Sequence, residues 1–149
     1  MEAVILVGIQ ASGKSTFYQQ RYSGTHVHVS RDLLRTRGRE QSLVQACLEG
    51  RRPFVVDNTS VRADERARYI TAAKAAGFRV VGYFFRTETR AAIARNKLRT
   101  GKAVVPVPGI LGTYKKLEEP RMEEGFDALY AVTLTPGNEF IVEPFAAGT

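Results

Sequence analysis

Continuous apolar runs alternate along this 149-residue chain with segments whose apolar positions recur at helical spacing. Ala3-Val4-Ile5-Leu6-Val7 is apolar throughout, as expected of a strand covered on both faces. A helix is predicted from Lys14 to Arg21, followed by a short strand over His26-Val27-His28-Val29 that ends at Ser30. Helical spacing continues through Leu33-Leu34 and, after Gly38, from Ser42 to Leu48, where Gly50 stops it. Phe54-Val55-Val56 is a third strand, Ala63 to Ala76 a helix closed by Gly77, and Arg79 to Phe85 a fourth strand. Thr87 is the expected N-cap of a helix over Glu88 to Leu98. Beyond it, Thr100 to Gly109 reads as a Gly- and Pro-containing loop, and Ile110 to Glu118 as another helix. Leu129–Leu134 and Glu139–Val142 are two last strands joined by the turn Pro136-Gly137-Asn138.

Strands separated by crossover helices predict a mostly parallel sheet with helices on both faces, and the closing pair predicts an antiparallel hairpin on its edge. No repeat or linker interrupts the pattern, so residues 1–149 are expected to form one domain, long enough to bury a core without disulfides. The single cysteine, Cys47, is expected inside a helix, and one cysteine excludes a disulfide framework within the chain. The first apolar run ends at Gly8, far short of the roughly 20 residues of a membrane span, and no basic stretch of a signal peptide precedes it. No membrane partner and a cytoplasmic location are the expectation; oligomeric state is left open.

Charge divides the chain unevenly. Residues 1–117 hold 21 Lys and Arg against 8 Asp and Glu, whereas residues 118–149 hold 1 against 7, so that +13 and −6 make the overall +7. Arginine outnumbers lysine 16 to 6, and its planar fork suits phosphate. A polyanionic partner is one expectation. Solvated helix faces are the other reading, applied to Arg62, Arg66, Arg68 and Arg90.

Gly8-Ile9-Gln10-Ala11-Ser12-Gly13-Lys14-Ser15 matches G-x-x-x-x-G-K-[ST] in full, between a predicted strand and a predicted helix. In that setting, backbone N–H groups surround a polyphosphate and the helix N-terminus adds favourable dipole charge. Gly8, Gln10, Ala11, Ser12, Gly13, Lys14, Ser15 and Thr16 are therefore the candidate nucleotide-binding residues, with Lys14 reaching the β- and γ-phosphates and Ser15 binding Mg²⁺. The fold class that follows is α/β, the phosphate-loop (P-loop) fold of NTPases and kinases.

Open α/β sheets place ligands at the C-terminal ends of their strands. The second strand ends in Ser30-Arg31-Asp32, with Arg35 three residues on, so a helix there would project Asp32 and Arg35 from one side. A carboxylate so placed can take a hydroxyl proton while the guanidinium holds an acceptor phosphate; a helix cap with a surface neighbour fits the spacing as well. The third strand ends in Asp57-Asn58-Thr59, where an acidic residue can hold Mg²⁺ beside Ser15 or close an Asx turn. Arg95 and Arg99, at i and i+4 before the Gly/Pro loop, suit a lid that closes on phosphates, and equally a cationic helix C-terminus. Asn96-Lys97 hints at a guanine-reading motif, but Arg99 stands where its Asp belongs. His26 and His28 read as strand residues without a third metal ligand.

With these elements in order, the chain resembles the kinase domain of the polynucleotide 5′-hydroxyl kinases from Val4 to Phe126. The resemblance rests on Gly8–Thr16, Ser30-Arg31-Asp32 with Arg35, Val55–Thr59, and Arg95–Arg99 leading into Lys102–Pro106. Leu117–Pro120 and Glu123–Phe126 are similar to that family's closing segment. It implies ATP and Mg²⁺ as cofactors and the 5′-OH ends of DNA or RNA as acceptors. Asp32 is then the general base, Arg35 the ligand of the acceptor's 3′-phosphate, Lys14 and Ser15 the ligands of ATP·Mg²⁺, Asp57 a neighbour of the metal, and Arg95 and Arg99 the lid clamps. Leu33 and Ser60 depart from the acidic residue and the Asn common there, and both departures bear on the acceptor. Two other readings remain: a kinase of small alcohols such as sugars, nucleosides or antibiotics, and a non-catalytic ATP-binding module. A groove lined by Arg35, Arg37, Arg39, Arg51 and Arg52 would favour the polynucleotide acceptor.

Overall fold

A computed structural model describes residues 1–101 and 104–145. Six strands form one sheet in the order β2-β3-β1-β4-β5-β6, where β1 is Glu2–Val7, β2 Val27–Val29, β3 Phe54–Asp57, β4 Arg79–Phe85, β5 Ala128–Leu134 and β6 Phe140–Pro144. All neighbours are parallel except β5 and β6, which make the expected edge hairpin.

Six helices connect the strands: α1 Lys14–Arg21, α2 Arg31–Leu34, α3 Arg37–Glu49, α4 Ala63–Ala75, α5 Thr89–Asn96 and α6 Val107–Lys116. The two-residue period of a strand sorts β1 between two cores. Ala3, Ile5 and Val7 pack with Val44, Cys47 and Leu48 of α3 and Ile70 and Ala73 of α4, while Val4 and Leu6 face Phe17 and Tyr18 of α1. Cys47 is buried in its helix, as expected. Among the described residues no helix is long and apolar enough to cross a membrane.

Several helix boundaries differ from expectation: α3 starts at Arg37, with Gly38 inside it, rather than at Ser42, and α5 ends at Asn96 rather than Leu98. Glu88, not Thr87, is the N-cap of α5, and no side chain caps it. α6 starts at Val107 rather than Ile110, because proline is compatible with a helix's first turn, where its missing N–H would have no partner anyway.

The parallel register fixes where chemistry gathers. Leu6 of β1 is paired with Asp57 of β3, so the end of β3 lies beside the exit of β1, and β2 ends next to it. Three strand ends and their loops thus converge at the C-terminal end of the parallel strands.

Candidate active site

The loop after β1 is shaped by close backbone approach. A Cβ on Gly8 would lie 2.9 Å from that of Phe85, and the Gly8 amide donates to the Thr59 carbonyl at 3.0 Å. Ala11 (φ 60°) and Gly13 (φ 96°) turn the chain through left-handed conformations. Gly13 is the N-cap of α1, which has no capping side chain, so the first-turn amides are left for an anion. Beneath the loop, Phe140 of β6 packs edge-on against Phe17 of α1 at 5.3 Å.

Lys14 is buried and folded back on this loop. Its Nζ donates to the carbonyls of Ile9 (2.7 Å) and Gly8 (3.0 Å) and to Ser12 Oγ (3.3 Å). Burial pushes its pKa down to about 8; Asp57 pulls it up, Arg99 lowers it further and Asp32 raises it.

At the end of β3, Asp57 Oδ2 accepts from Ser15 Oγ at 2.8 Å and meets His28 Nε2 at 2.7 Å. The His28 ring is stacked on Tyr18 at 3.9 Å and 12°. A hydroxyl and a carboxylate, side by side at the loop, are hard oxygen donors of the kind Mg²⁺ takes, so the residues present fit that ion. The His28 contact was not anticipated, because it depends on the pairing of β2 with β3 and not on local sequence.

Asp32 stands in the first turn of α2 and lines the cavity described below. Arg35 does not share its helix face: α2 ends at Leu34, and Arg35 turns left-handed (φ 72°) outside the cavity wall. Arg37 and Arg68 line that wall instead. Of the five arginines whose lining of a groove would favour a polynucleotide acceptor, Arg37 alone lines this cavity. Arg51 donates to the Ala76 carbonyl and lies over the Phe78 ring, while Arg39 reaches the Leu34 carbonyl at 3.5 Å.

A buried carboxylate braces the wall that carries Asp32. Glu40, 2% exposed, accepts from Arg31 Nε (3.3 Å) and Nη2 (3.2 Å), from Asn58 Nδ2 (2.9 Å) and from the Tyr69 hydroxyl. Burial alone would raise its pKa, but the hydrogen bonds from Tyr69, Asn58 and Arg31 outweigh it and hold the carboxyl below its ordinary range. Tyr69, buried and donating to that carboxylate, is pushed up to about 12. Asn58 Oδ1 also accepts from the Arg31 amide at 2.9 Å, which fixes the start of α2 and so the turn that carries Asp32.

Arg66, expected on a solvated face, is fully buried. It donates to both carboxylate oxygens of Glu124 (2.8 and 3.0 Å) and to the Ser60 carbonyl (3.0 Å), just past Asp57. Arg62 and Arg90 are exposed, as that expectation had them.

α5 ends at Asn96, so Arg95 and Arg99, expected to share a helix in a lid, are not one helical turn apart. Arg99 reaches the cavity wall, whereas Arg95 Nη1 donates to the Ala11 carbonyl at 3.2 Å and ties α5 to the phosphate loop. Asn96 closes the segment that follows by pairing with both the amide and the carbonyl of Val105. Gln10 Nε2 donates to Thr113 Oγ1 of α6 at 2.9 Å, and Ile9, Ala11, Ala92 and Ile110 form a small apolar cluster beneath. Lys102 and Ala103, part of the sequence resemblance, lie outside the described residues.

These elements enclose a cavity of about 760 Å³. Its walls include Gln10 to Thr16 on the loop, Asp57 at the end of β3, Asp32, Arg37 and Arg68, and Arg99 from the segment after α5. Gly8 is outside the wall and contributes the carbonyl that Lys14 engages.

A family model described as an AAA domain, AAA_33, matches residues 4–110. Among solved structures, a gluconokinase from Sinorhizobium meliloti is similar at 20% identity and TM-score 0.61, over 89% of this chain and 82% of that one. Kti12 of Chaetomium thermophilum in complex with ADP-AlF3 is similar at 16% identity and TM-score 0.65, over 91% and 92%. A complex of AvrRxo1-ORF1 with ORF2 and ATP is similar at 15% identity and TM-score 0.70, over 95% of this chain and 57% of that one. At these identities the likeness is one of fold, the mostly parallel α/β sheet of phosphate-loop kinases.

Proposed function

The chain belongs to the AAA_33 family of AAA domains, and from that premise we propose that it is an ATP- and Mg²⁺-dependent phosphotransferase acting on the 5′-hydroxyl end of DNA or RNA. One observation carries this reading: a single cavity has the phosphate loop on one side and a carboxylate flanked by arginines, Asp32 with Arg37 and Arg68, on the other. Residues 1–149 act in it as one domain.

ATP sits with its phosphates on the loop amides, and Lys14 leaves the Gly8 and Ile9 carbonyls for the β- and γ-phosphates. Ser15 and Asp57 would hold Mg²⁺, and the ion would supply charge neutralisation at the phosphates. Asp32 accepts the proton of the 5′-hydroxyl as its oxygen bonds to the γ-phosphorus, and the bond from that phosphorus to the bridging oxygen breaks, releasing ADP. Arg99 stabilises the charge that develops on the transferring group. Arg95 acts through its hold on Ala11, and Arg37 and Arg68 take the acceptor's phosphate in place of Arg35.

The likeness to a gluconokinase supports a second reading, a small polyol as acceptor at the same base. Transfer of labelled γ-phosphate from ATP to 5′-hydroxyl oligonucleotides and to a panel of polyols separates the two. The expected result is label on the oligonucleotides, reduced at least about 10²-fold by Asp32→Ala while ATP affinity is retained. Label on a polyol alone would install the second reading, and equal loss of ATP binding in Asp32→Ala would remove Asp32 from the role of base.

A further inference from the structure

A second cavity, of about 720 Å³, lies between α3 and α4, and its wall shares Arg37, Arg68 and Tyr69 with the catalytic cavity. A molecule that reaches from Asp32 past the two arginines therefore runs into this groove. Val44, Leu48 and Ala72 make an apolar floor, and the amides of Gln41 and Gln45 edge it. Glu40 is the carboxylate in the lining, and its charge is taken up by Arg31, Asn58 and Tyr69; at the entrance the two arginines outnumber Glu65, the acidic residue of α4 on the catalytic-cavity wall.

We propose that this groove seats the second nucleoside of the acceptor, the one joined through the phosphodiester to the nucleotide whose 5′-hydroxyl reacts. The inference rests on the 5′-hydroxyl kinase reading and extends it. The match is one of chemistry in sequence: a hydroxyl at the carboxylate, an anionic link at the paired guanidiniums, then a flat ring with apolar faces and hydrogen-bonding edges against an apolar floor with amide lips. A small polyol offers neither the anion nor the ring. Arginine forks fix the phosphodiester, and the groove converts that anchor into a preference for length, because a base seated on the apolar floor is withdrawn from water.

The test compares, for wild-type protein, a 5′-hydroxyl nucleoside 3′-monophosphate with the corresponding 5′-hydroxyl dinucleotide as acceptors. The dinucleotide is expected to show a KM lower by about tenfold, the order that burying one base face against apolar side chains supplies. Thr71→Trp places an indole in the groove from the exposed face of α4 and is expected to bring the ratio of the two KM values to near one. Gln45→Trp, on the opposite lip, gives the same result from α3 and guards against a folding defect in either variant. Gln19→Trp on α1, across the sheet, keeps the wild-type ratio. Equal KM values in the wild type, or a ratio that survives both groove variants, would overturn the groove while leaving the kinase reading in place. Phosphorylation of no nucleotide acceptor would overturn the kinase reading, and the groove proposal with it.

Discussion

Ser15 Oγ donates to Asp57 Oδ2 at 2.8 Å, joining residues 42 positions apart at the start of α1 and the end of β3. The pairing of Leu6 with Asp57 makes this contact a consequence of sheet register, and it sets two oxygen donors where the phosphate loop begins its helix. Asp57→Asn keeps the size and removes the charge. The Mg²⁺ concentration for half-maximal nucleotide binding is expected to rise about tenfold or more, with metal-free ATP affinity little changed. A Mg²⁺ titration of nucleotide binding that is unmoved would take Asp57 out of the metal site.

Lys14 predicts a pH dependence with a definite sign. Its pKa in the unliganded fold is about 8, against an ordinary value of 10.5. ATP phosphates favour the charged ammonium, so binding above pH 8 takes up a proton, and affinity falls as pH rises through 8 by at most about tenfold per unit. Calorimetry at pH 8.5 in two buffers of different ionisation enthalpy should report that uptake. At pH 6.5, and in Lys14→Arg, it should vanish. The same shift gives the empty protein stability that increases from pH 8 to 10.5, because there the unfolded chain holds the proton that the folded chain has lost. Uptake of equal size in Lys14→Arg would assign the proton elsewhere.

The buried pair Arg66–Glu124 is a stability element behind the site. With Arg66 fully buried, Glu124→Gln leaves a buried guanidinium short of its counter-charge, expected to cost about 3–5 kcal/mol. That corresponds to a melting temperature lower by on the order of 10 °C for a chain of this size. Replacing both, Arg66→Met with Glu124→Leu, should recover most of the loss. Additive losses in the double variant would mean that the pair matters for something besides its charge.

Legibility followed the range of the contacts. The phosphate loop and α1, predicted and found at Lys14–Arg21, are specified by neighbours in sequence, and so is Asp57, which sits where an apolar strand stops. Arg35 was misplaced because helical phase was extended through α2, which lasts only four residues before a left-handed turn. Arg66 and His28 were missed for a different reason. Each looks like any polar residue on its own element, and the partner that gives it meaning, 58 residues away for Arg66 and 29 for His28, is supplied by tertiary packing. Arg68 shows the same limit from the other side: its helix face is exposed, and only the placement of α4 beside α2 makes that face a cavity wall.

Glu40 brings packing and chemistry together. It does not itself line the cavity where transfer is proposed, yet it holds three residues that do, Arg31, Asn58 and Tyr69 from three other segments, and Asn58 in turn fixes the first amide of α2. Glu40→Gln keeps the volume but trades a charged acceptor for an amide that must also donate, so at least one of the three partners loses its bond. The turn carrying Asp32 is then held less closely. Turnover is expected to fall about tenfold or more, in line with a small displacement of a reacting group, with ATP affinity unchanged because the phosphate loop is untouched. Tyr69→Phe removes one bond of the set and should fall between the parent and Glu40→Gln. Steady-state kinetics with an independent measurement of ATP affinity checks both. A Glu40→Gln protein that turned over normally would show that Asp32 is positioned by α2 alone, and one that lost ATP binding would place the network's effect on the loop.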